Sequence, residues 1–146
     1  MDLDHEIIVH EWKHWIESKT MSIKRELESI LDEIGGEDFN LLAKSVGTRV
    51  AMYLIPLTKS KVRKVILCGI PTKGLVEKTK TLYLNGIKHL DSKDILCIQN
   101  SKDPLASYKD VARFINSINP RIRVVEMPGG GHDYPYSKEF LEFFKD

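Results

Sequence analysis

The sequence predicts an α/β fold, with three α/β/α layers around a mostly parallel sheet of about five strands. Two observations predict it. Short β-branched apolar runs alternate with segments of helical periodicity from one end of the chain to the other, and no linker, repeat or low-complexity tract interrupts them. The 146 residues are enough to build one core, so residues 1–146 are expected to form a single domain.

Five short apolar runs are predicted as strands because they match the length and composition of strands in α/β proteins. In chain order they are "EIIVHEW" (6–12), "FNLLAK" (39–44), "VRKVILCGI" (62–70), "DILCIQN" (94–100) and "RIRVVEM" (121–127). Cys68 and Cys97 lie inside the third and fourth runs. They are predicted to be buried thiols, neither bridged nor ligating a metal, which fits a reducing, cytoplasmic location.

Two helices are predicted before the third strand. The first ends at Gly35 and Gly36, and its apolar face is formed by Ile23, Leu27, Ile30, Leu31 and Ile34. The second follows Ser45 and is expected to stop at Pro56, since proline has no N–H and disfavours helix before it.

Three more helices are predicted in the second half of the chain. The stretch 75–90 is weakly helical, and Gly86 weakens the pattern further. Ser107 with Asp110 forms a capping box that opens the next helix. The last is a short helix that contains Phe140, Leu141 and Phe144.

The charge balance limits the partners of the protein. There are 22 Lys and Arg against 21 Asp and Glu, so no large field of one sign attracts nucleic acid or anionic lipid. The chain has neither a signal-peptide pattern at its start nor an apolar run long enough for a membrane span. The expected partner is a small neutral molecule or another protein.

The stretch "AKSVG" carries the first functional signal. It places Ser45 where a predicted strand turns into a helix, with the small residues Ala43 and Gly47 two positions away on either side. This is a relaxed form of the GxSxG nucleophile elbow, in which larger side chains at those positions would collide as strand and helix pack together. The alternative is a serine that caps the N-terminus of the helix and has no chemical role.

Two later loops offer the partners that a serine nucleophile needs, a base and a group that orients it. Asp103 follows the fourth predicted strand, and His132 follows the fifth. Because the carboxyl ends of parallel strands open on one edge of a sheet, Ser45, Asp103 and His132 are expected to lie together there. Taken singly, Asp103 could be a turn residue and His132 a flexible loop residue.

With these motifs the chain resembles the α/β hydrolases, specifically small bacterial serine hydrolases. The resemblance rests on "AKSVGT", "CGIP", "NSKDP" and "GGGHDY", and it runs from about residue 6 to the C-terminus. It implies hydrolysis of an ester or thioester, with Ser45 as nucleophile, His132 as base and then acid, and Asp103 holding the imidazole tautomer. The Val46 N–H would be one oxyanion donor, and no cofactor is needed.

The chain departs from these hydrolases at its N-terminus. Family members ordinarily begin with a further strand and a glycine-rich loop that supplies the second oxyanion N–H, and this sequence has neither. The loss of one donor costs roughly 10²- to 10³-fold in turnover. An incomplete sheet edge is also expected to favour a homodimer. The alternative function is therefore a binding or scaffold protein that keeps the triad residues without the activity.

A third hypothesis comes from "HEWKH", which satisfies the zinc-protease pattern HExxH. His10 and His14 would ligate the metal if both lay on one helical turn, while Glu11 would activate a water. The motif lies in a β-branched context, and no convincing third ligand follows it. If residues 6–12 are extended, the two imidazoles diverge, and Trp12 and Trp15 become packing residues near the sheet edge or the cleft.

Overall fold

The structure is a computed structural model that describes residues 6–13, 20–74 and 76–145. Four parallel strands form its sheet, in the order in which they follow one another in the chain. They are β1 (Phe39–Lys44), β2 (Val62–Cys68), β3 (Ile95–Asn100) and β4 (Arg123–Met127). The predictions for these four strands are confirmed, and that for β1 is right to the residue.

Five helices connect or flank these strands in the part of the chain that the structure describes in full. They are α1 (Ile23–Ile34), α2 (Val46–Leu57), α3 (Glu77–Ile87), α4 (Tyr108–Ile118) and α5 (Ser137–Phe144). The caps follow the sequence: Gly35 ends α1 at φ 64°, and the Ser107 hydroxyl accepts a hydrogen bond from the Asp110 N–H at the start of α4. None of the described helices has the length and apolarity to cross a bilayer.

The core lies on both faces of the sheet, which gives the three predicted layers. Alternate residues of β2 point to opposite faces, as strand geometry requires: Val65 and Leu67 pack with α2, α3 and α4, whereas Ile66 and Cys68 pack with α5. Cys68 and Cys97 are both free and buried, as predicted.

Helices α2 and α3 pack closely where the sequence pattern was ambiguous. Pro56 lies within the last turn of α2 and does not end it, because the helix continues to Leu57. A Cβ on Gly86 would lie 2.9 Å from the Met52 carbonyl oxygen. In a regular helix this oxygen would accept the N–H of residue 56, but Pro56 has no N–H to donate. Gly86 is therefore compatible with the helix because it lets the two backbones touch.

The predicted strand at residues 6–12 is wrong. No strand forms there, and β1 lies at an edge of the described sheet. Instead, His10 and the Lys13 N–H bond the carboxylate of Glu26 on α1, so the segment lies against a helix. A β-branched run becomes a strand only when it pairs with a neighbour. The homodimer through this edge stays a prediction.

Candidate active site

Ser45 occupies a sharp bend between β1 and α2. Its φ of 56° and ψ of −124° make it the one non-glycine residue with positive φ among those described. Such a conformation costs roughly 1–3 kcal/mol and is held only where the surroundings fix it. Here the Ser45 N–H donates to the Cys68 carbonyl at the end of β2, over 2.9 Å.

The Ser45 hydroxyl does not cap the helix that follows it. The side chain makes no capping hydrogen bond, and the Thr48 N–H bonds the Ser45 carbonyl instead. Ser45 thus holds the N-cap position, as that alternative predicted, but its side chain does not cap the helix. Its side chain is half-buried, and its hydroxyl is not committed to the helix.

The small residues around Ser45 leave little space between β1 and α2. A Cβ on Gly47 would lie 3.9 Å from the Ala43 Cβ, so a methyl group would be in ordinary contact and a larger side chain at either position would meet the other. It would also lie 3.6 Å from Cζ2 of Trp12, so the indole ring covers Gly47 and limits the size of a side chain there. Val46 opens α2 and is 39% exposed, and its N–H is among the first of the helix, which have no partner within it.

Thr48 fixes the carbonyl side of the bend, a role that the sequence did not indicate. Its hydroxyl donates to the Ser45 carbonyl over 2.7 Å and lies 2.6 Å from the Tyr83 hydroxyl on α3. Since the Thr48 proton is used on the carbonyl, Tyr83 must donate to Thr48. This buried pair ties the bend to a second helix.

Asp103 and His132 are directly bonded, although 29 residues separate them. Asp103 Oδ2 lies 2.7 Å from His132 Nδ1, and Oδ1 accepts the Leu105 N–H over 2.8 Å. Burial raises the pKa of the Asp103 carboxyl, but hydrogen bonds from Tyr134, His132 and the Leu105 N–H outweigh it and hold that pKa below its ordinary value. The ionised carboxylate requires the imidazole proton to be on Nδ1.

His132 Nε2 therefore carries the lone pair, as a general base requires. This atom is buried and has no hydrogen-bond partner among the described residues. A buried polar atom without a partner is uncommon, and sites of chemistry are one of the places where it occurs.

Gly69 connects the imidazole to the strand that Ser45 contacts. It follows β2 at φ 60°, and a Cβ there would lie 2.9 Å from Cε1 of His132. The preceding residue, Cys68, accepts the Ser45 N–H. The ring and the serine thus lie against the same Cys68–Gly69 peptide, on the carboxyl side of the sheet.

Asn100, the last residue of β3, holds the loop that carries His132 by hydrogen bonds. Its Nδ2 donates to the carbonyls of Gly131 and Asp133, over 2.9 and 2.8 Å, which are the residues on either side of the histidine. Its Oδ1 accepts the Tyr136 hydroxyl. A Cβ on Gly129 would lie 2.6 Å from Asn100 Cγ, so the loop approaches the amide closely. The sequence analysis missed this residue.

Gln99, the neighbour of Asn100 in β3, plays a similar part for the adjacent loops. It is fully buried, accepts the Ile70 N–H over 3.1 Å and donates to the Ala106 carbonyl over 2.9 Å. The one signal of this role in the sequence is a glutamine inside an otherwise apolar strand. Its amide needs hydrogen-bond partners once the strand is buried.

His10, a zinc ligand in the HExxH hypothesis, makes hydrogen bonds that compete with metal binding. His10 Nε2 lies 2.7 Å from Glu26 and its Nδ1 lies 2.9 Å from Glu33, so both ring nitrogens are occupied. His10 and Glu11 precede any helix, His14 lies outside the described residues, and Glu11 is exposed. Within the described ranges no three His, Cys, Asp or Glu side chains are grouped to hold a metal.

A cleft lies beside the acid loop. It has a volume of about 730 Å³ between α3 and α4, and its walls include Asp103, Leu105, Lys73, Glu77 and Arg113. Neither Ser45 nor His132 lines it. The cleft therefore does not hold the substrate bond that Ser45 would attack.

Fold and site together describe an α/β protein of the kind that performs chemistry at the carboxyl ends of parallel strands. The family model for an alpha/beta hydrolase domain matches residues 6–140. The chain belongs to the α/β hydrolase family. No match was found among the curated proteins.

Solved structures agree with this fold. A marine microorganism esterase is similar at TM-score 0.58 and 16% identity, covering 86% of this chain and 78% of that one. A hydrolase from Pseudomonas aeruginosa PA01 has TM-score 0.57 and 13% identity, covering 86% and 72%. A meta-cleavage product hydrolase from Pseudomonas fluorescens IP01 has TM-score 0.54 and 14% identity, covering 88% and 73%. At these identities the likeness concerns the fold.

Proposed function

We propose that the protein is a serine hydrolase that cleaves ester or thioester bonds of small molecules, with Ser45 as nucleophile. The observation that carries the proposal is the Asp103–His132 pair, whose unpartnered Nε2 belongs to a ring that lies against the peptide holding the Ser45 bend. Membership of the α/β hydrolases and the esterase among its structural neighbours support the same chemistry.

The proposed reaction has two steps, and no cofactor takes part. The Ser45 hydroxyl oxygen attacks the acyl carbon while His132 Nε2 takes its proton, and the leaving alcohol or thiol takes that proton back as the acyl–serine ester forms. Water then gives a proton to Nε2 and attacks the acyl carbon of the ester. Nε2 returns that proton to the Ser45 oxygen as the acyl–oxygen bond breaks and the acid leaves. The Val46 N–H and the α2 dipole would stabilise the oxyanion in both steps.

Fluorophosphonate labelling with mass spectrometry of the adduct tests the proposal. Wild type should be labelled on Ser45, and Ser45→Ala should lose the label and about 10³-fold or more of p-nitrophenyl acetate hydrolysis. Ser101→Ala is the matched control, because Ser101 is also at a strand end but its hydroxyl is bonded to Glu126 and to the Met127 carbonyl. It should keep both label and activity.

The second candidate is a binding or scaffold protein without hydrolytic activity. The observation that favours it is that residues 6–12, predicted to be a strand, do not join the sheet. If wild type gives no adduct at Ser45 while an active serine hydrolase is labelled in the same tube, the enzyme proposal is lost and this candidate stands.

A further inference from the structure

Tyr134 lies two residues after His132, and its buried hydroxyl bridges two groups of the site. The Asn100 N–H lies 3.1 Å from the hydroxyl oxygen, and Asp103 Oδ2 lies 2.6 Å from it. A backbone N–H can only donate, so it occupies a lone pair of the hydroxyl. The hydroxyl proton therefore points to the carboxylate, and its direction is fixed by the fold.

The carboxylate oxygen that Tyr134 reaches is the one that His132 uses. Asp103 Oδ2 accepts both the Tyr134 hydroxyl, at 2.6 Å, and His132 Nδ1, at 2.7 Å, while Oδ1 takes the Leu105 N–H. The two rings also touch edge to face, with centroids 6.0 Å apart. Hydroxyl, carboxylate and imidazole thus form one short chain inside the protein.

We propose that Tyr134 is a positioning residue that orients Asp103 toward His132 and shares the negative charge of Oδ2 with it. A carboxylate that already accepts a short O–H bond is a weaker acceptor for a second donor, since both draw on one charge. The imidazolium formed during the reaction is then held less tightly and gives up its proton more readily. The role in turnover rests on the proposed function; the hydrogen-bond sharing does not.

The other charged and titratable groups near the pair do not provide this bond. Lys44, at the end of β1, lies 3.9 Å from the carboxylate of Asp133, and both side chains are exposed. The Cys68 thiol, at the end of β2, is kept neutral because burial raises its pKa to about 12. Tyr136 bonds Asn100 and not Asp103. Burial and the bond to Asp103 also raise the pKa of Tyr134, so its hydroxyl stays protonated.

The test compares Tyr134→Phe with Tyr136→Phe in the full chain. Each variant removes one hydroxyl from the same loop and keeps the ring, but only the first removes a bond to Asp103. In proton NMR of the unreacted protein, the low-field signal of the His132 Nδ1 proton should move further downfield in Tyr134→Phe and stay in place in Tyr136→Phe. In hydrolysis, the acidic midpoint of the pH–rate profile should rise by about half a unit in Tyr134→Phe only.

The outcomes separate the two proposals. An unchanged Nδ1 signal and an unchanged acidic midpoint in a folded Tyr134→Phe would overturn the role of Tyr134, even if its turnover fell, because lost packing alone moves rate and not midpoint. Equal shifts in both tyrosine variants would overturn it as well. If wild type hydrolyses no ester and Ser45 is not labelled, the NMR shift still decides for or against the sharing of Oδ2, and only the function fails.

Discussion

The two ends of the site are held in different ways. At the end formed by the loops after β3 and β4, Asn100, Asp103 and Tyr134 are buried and linked by hydrogen bonds into one network that encloses His132. At the other end, Ser45 is fixed by its own backbone, by the β2 end and by Thr48.

The N-terminal segment beside Ser45 is held more loosely still. Ile7, Ile8 and Val9 are exposed, and hydrogen bonds tie the segment to the carboxylates of Glu26 and Glu33 on α1. The acid–base pair is thus preorganised by several buried elements at once, whereas the segment that covers the start of α2 is held by a few polar contacts with one helix. Substitutions that test structural support should therefore cost the most stability at the first end.

The largest loss of stability is expected from Asn100→Asp. The change keeps the shape of the side chain but replaces the Nδ2 donor with an oxygen that faces the carbonyls of Gly131 and Asp133. We expect a loss of about 3 kcal/mol in unfolding free energy by urea denaturation and, in the folded protein, a turnover about 10²-fold lower.

Asn40→Asp is the matched control for that variant. Asn40 also uses its side chain on a neighbouring backbone, but as an acceptor for the Lys64 N–H, a role that aspartate keeps. It should change stability by about 0.5 kcal/mol or less. Equal losses in both variants would show that the hydrogen bonds from Asn100 to the His132 loop contribute no more to stability than the bond of Asn40.

A smaller loss is expected from Gly69→Ala. The new methyl group would lie 2.9 Å from both the His132 and the Tyr134 ring, so one ring must move. Gly74→Ala controls for backbone strain, because Gly74 has φ 74° but a methyl group there would meet no atom within 4 Å. Gly69→Ala should be about 1–3 kcal/mol less stable than Gly74→Ala and lower in turnover. Similar stabilities and rates would mean that the ring is not confined by the β2 end.

The smallest effect concerns the N-terminal end and depends on pH. Burial lowers the pKa of His10, but bonds to Glu26 and Glu33 outweigh it and raise that pKa above its ordinary 6.5. The stabilisation is therefore complete below pH 6.5 and is lost as the pH rises through the higher folded value. The gap in unfolding free energy between wild type and His10→Asn should shrink by about 1 kcal/mol or less from about pH 6 to about pH 8.

Glu33→Gln sharpens this prediction because it removes one of the two carboxylates and keeps the bond to Glu26. The pH dependence should weaken in that background without disappearing. If the stability of wild type and of His10→Asn changes with pH in parallel across this range, charged His10 does not stabilise the fold through Glu26 and Glu33. The N-terminal segment would then be held by interactions that do not titrate, such as the contact of Trp12 with Gly47.

Local patterns predicted most of the fold. Strand β1, the cap of α4 and the glycine end of α1 follow from periodicity and turn chemistry, which act over a few residues. The same local signals placed Ser45, Asp103 and His132 after the first, third and fourth strands of the sheet, and parallel topology then brings them to one edge. The strand at residues 6–12 failed because pairing is not a local property.

Sequence patterns were enough to predict the four strands of the sheet, its helices and the three polar residues that follow strand ends. Only the tertiary structure decided what holds those residues: Asn100 and Tyr134 act across 31 to 34 residues, and Trp12 covers Gly47 from a segment predicted to be a strand. An asparagine or a tyrosine in a loop can bond many partners, so its role is fixed only when the chain has brought one of them within about 3 Å. For this reason the candidate chemistry could be predicted from spacing, whereas the hydrogen bonds that orient it could not.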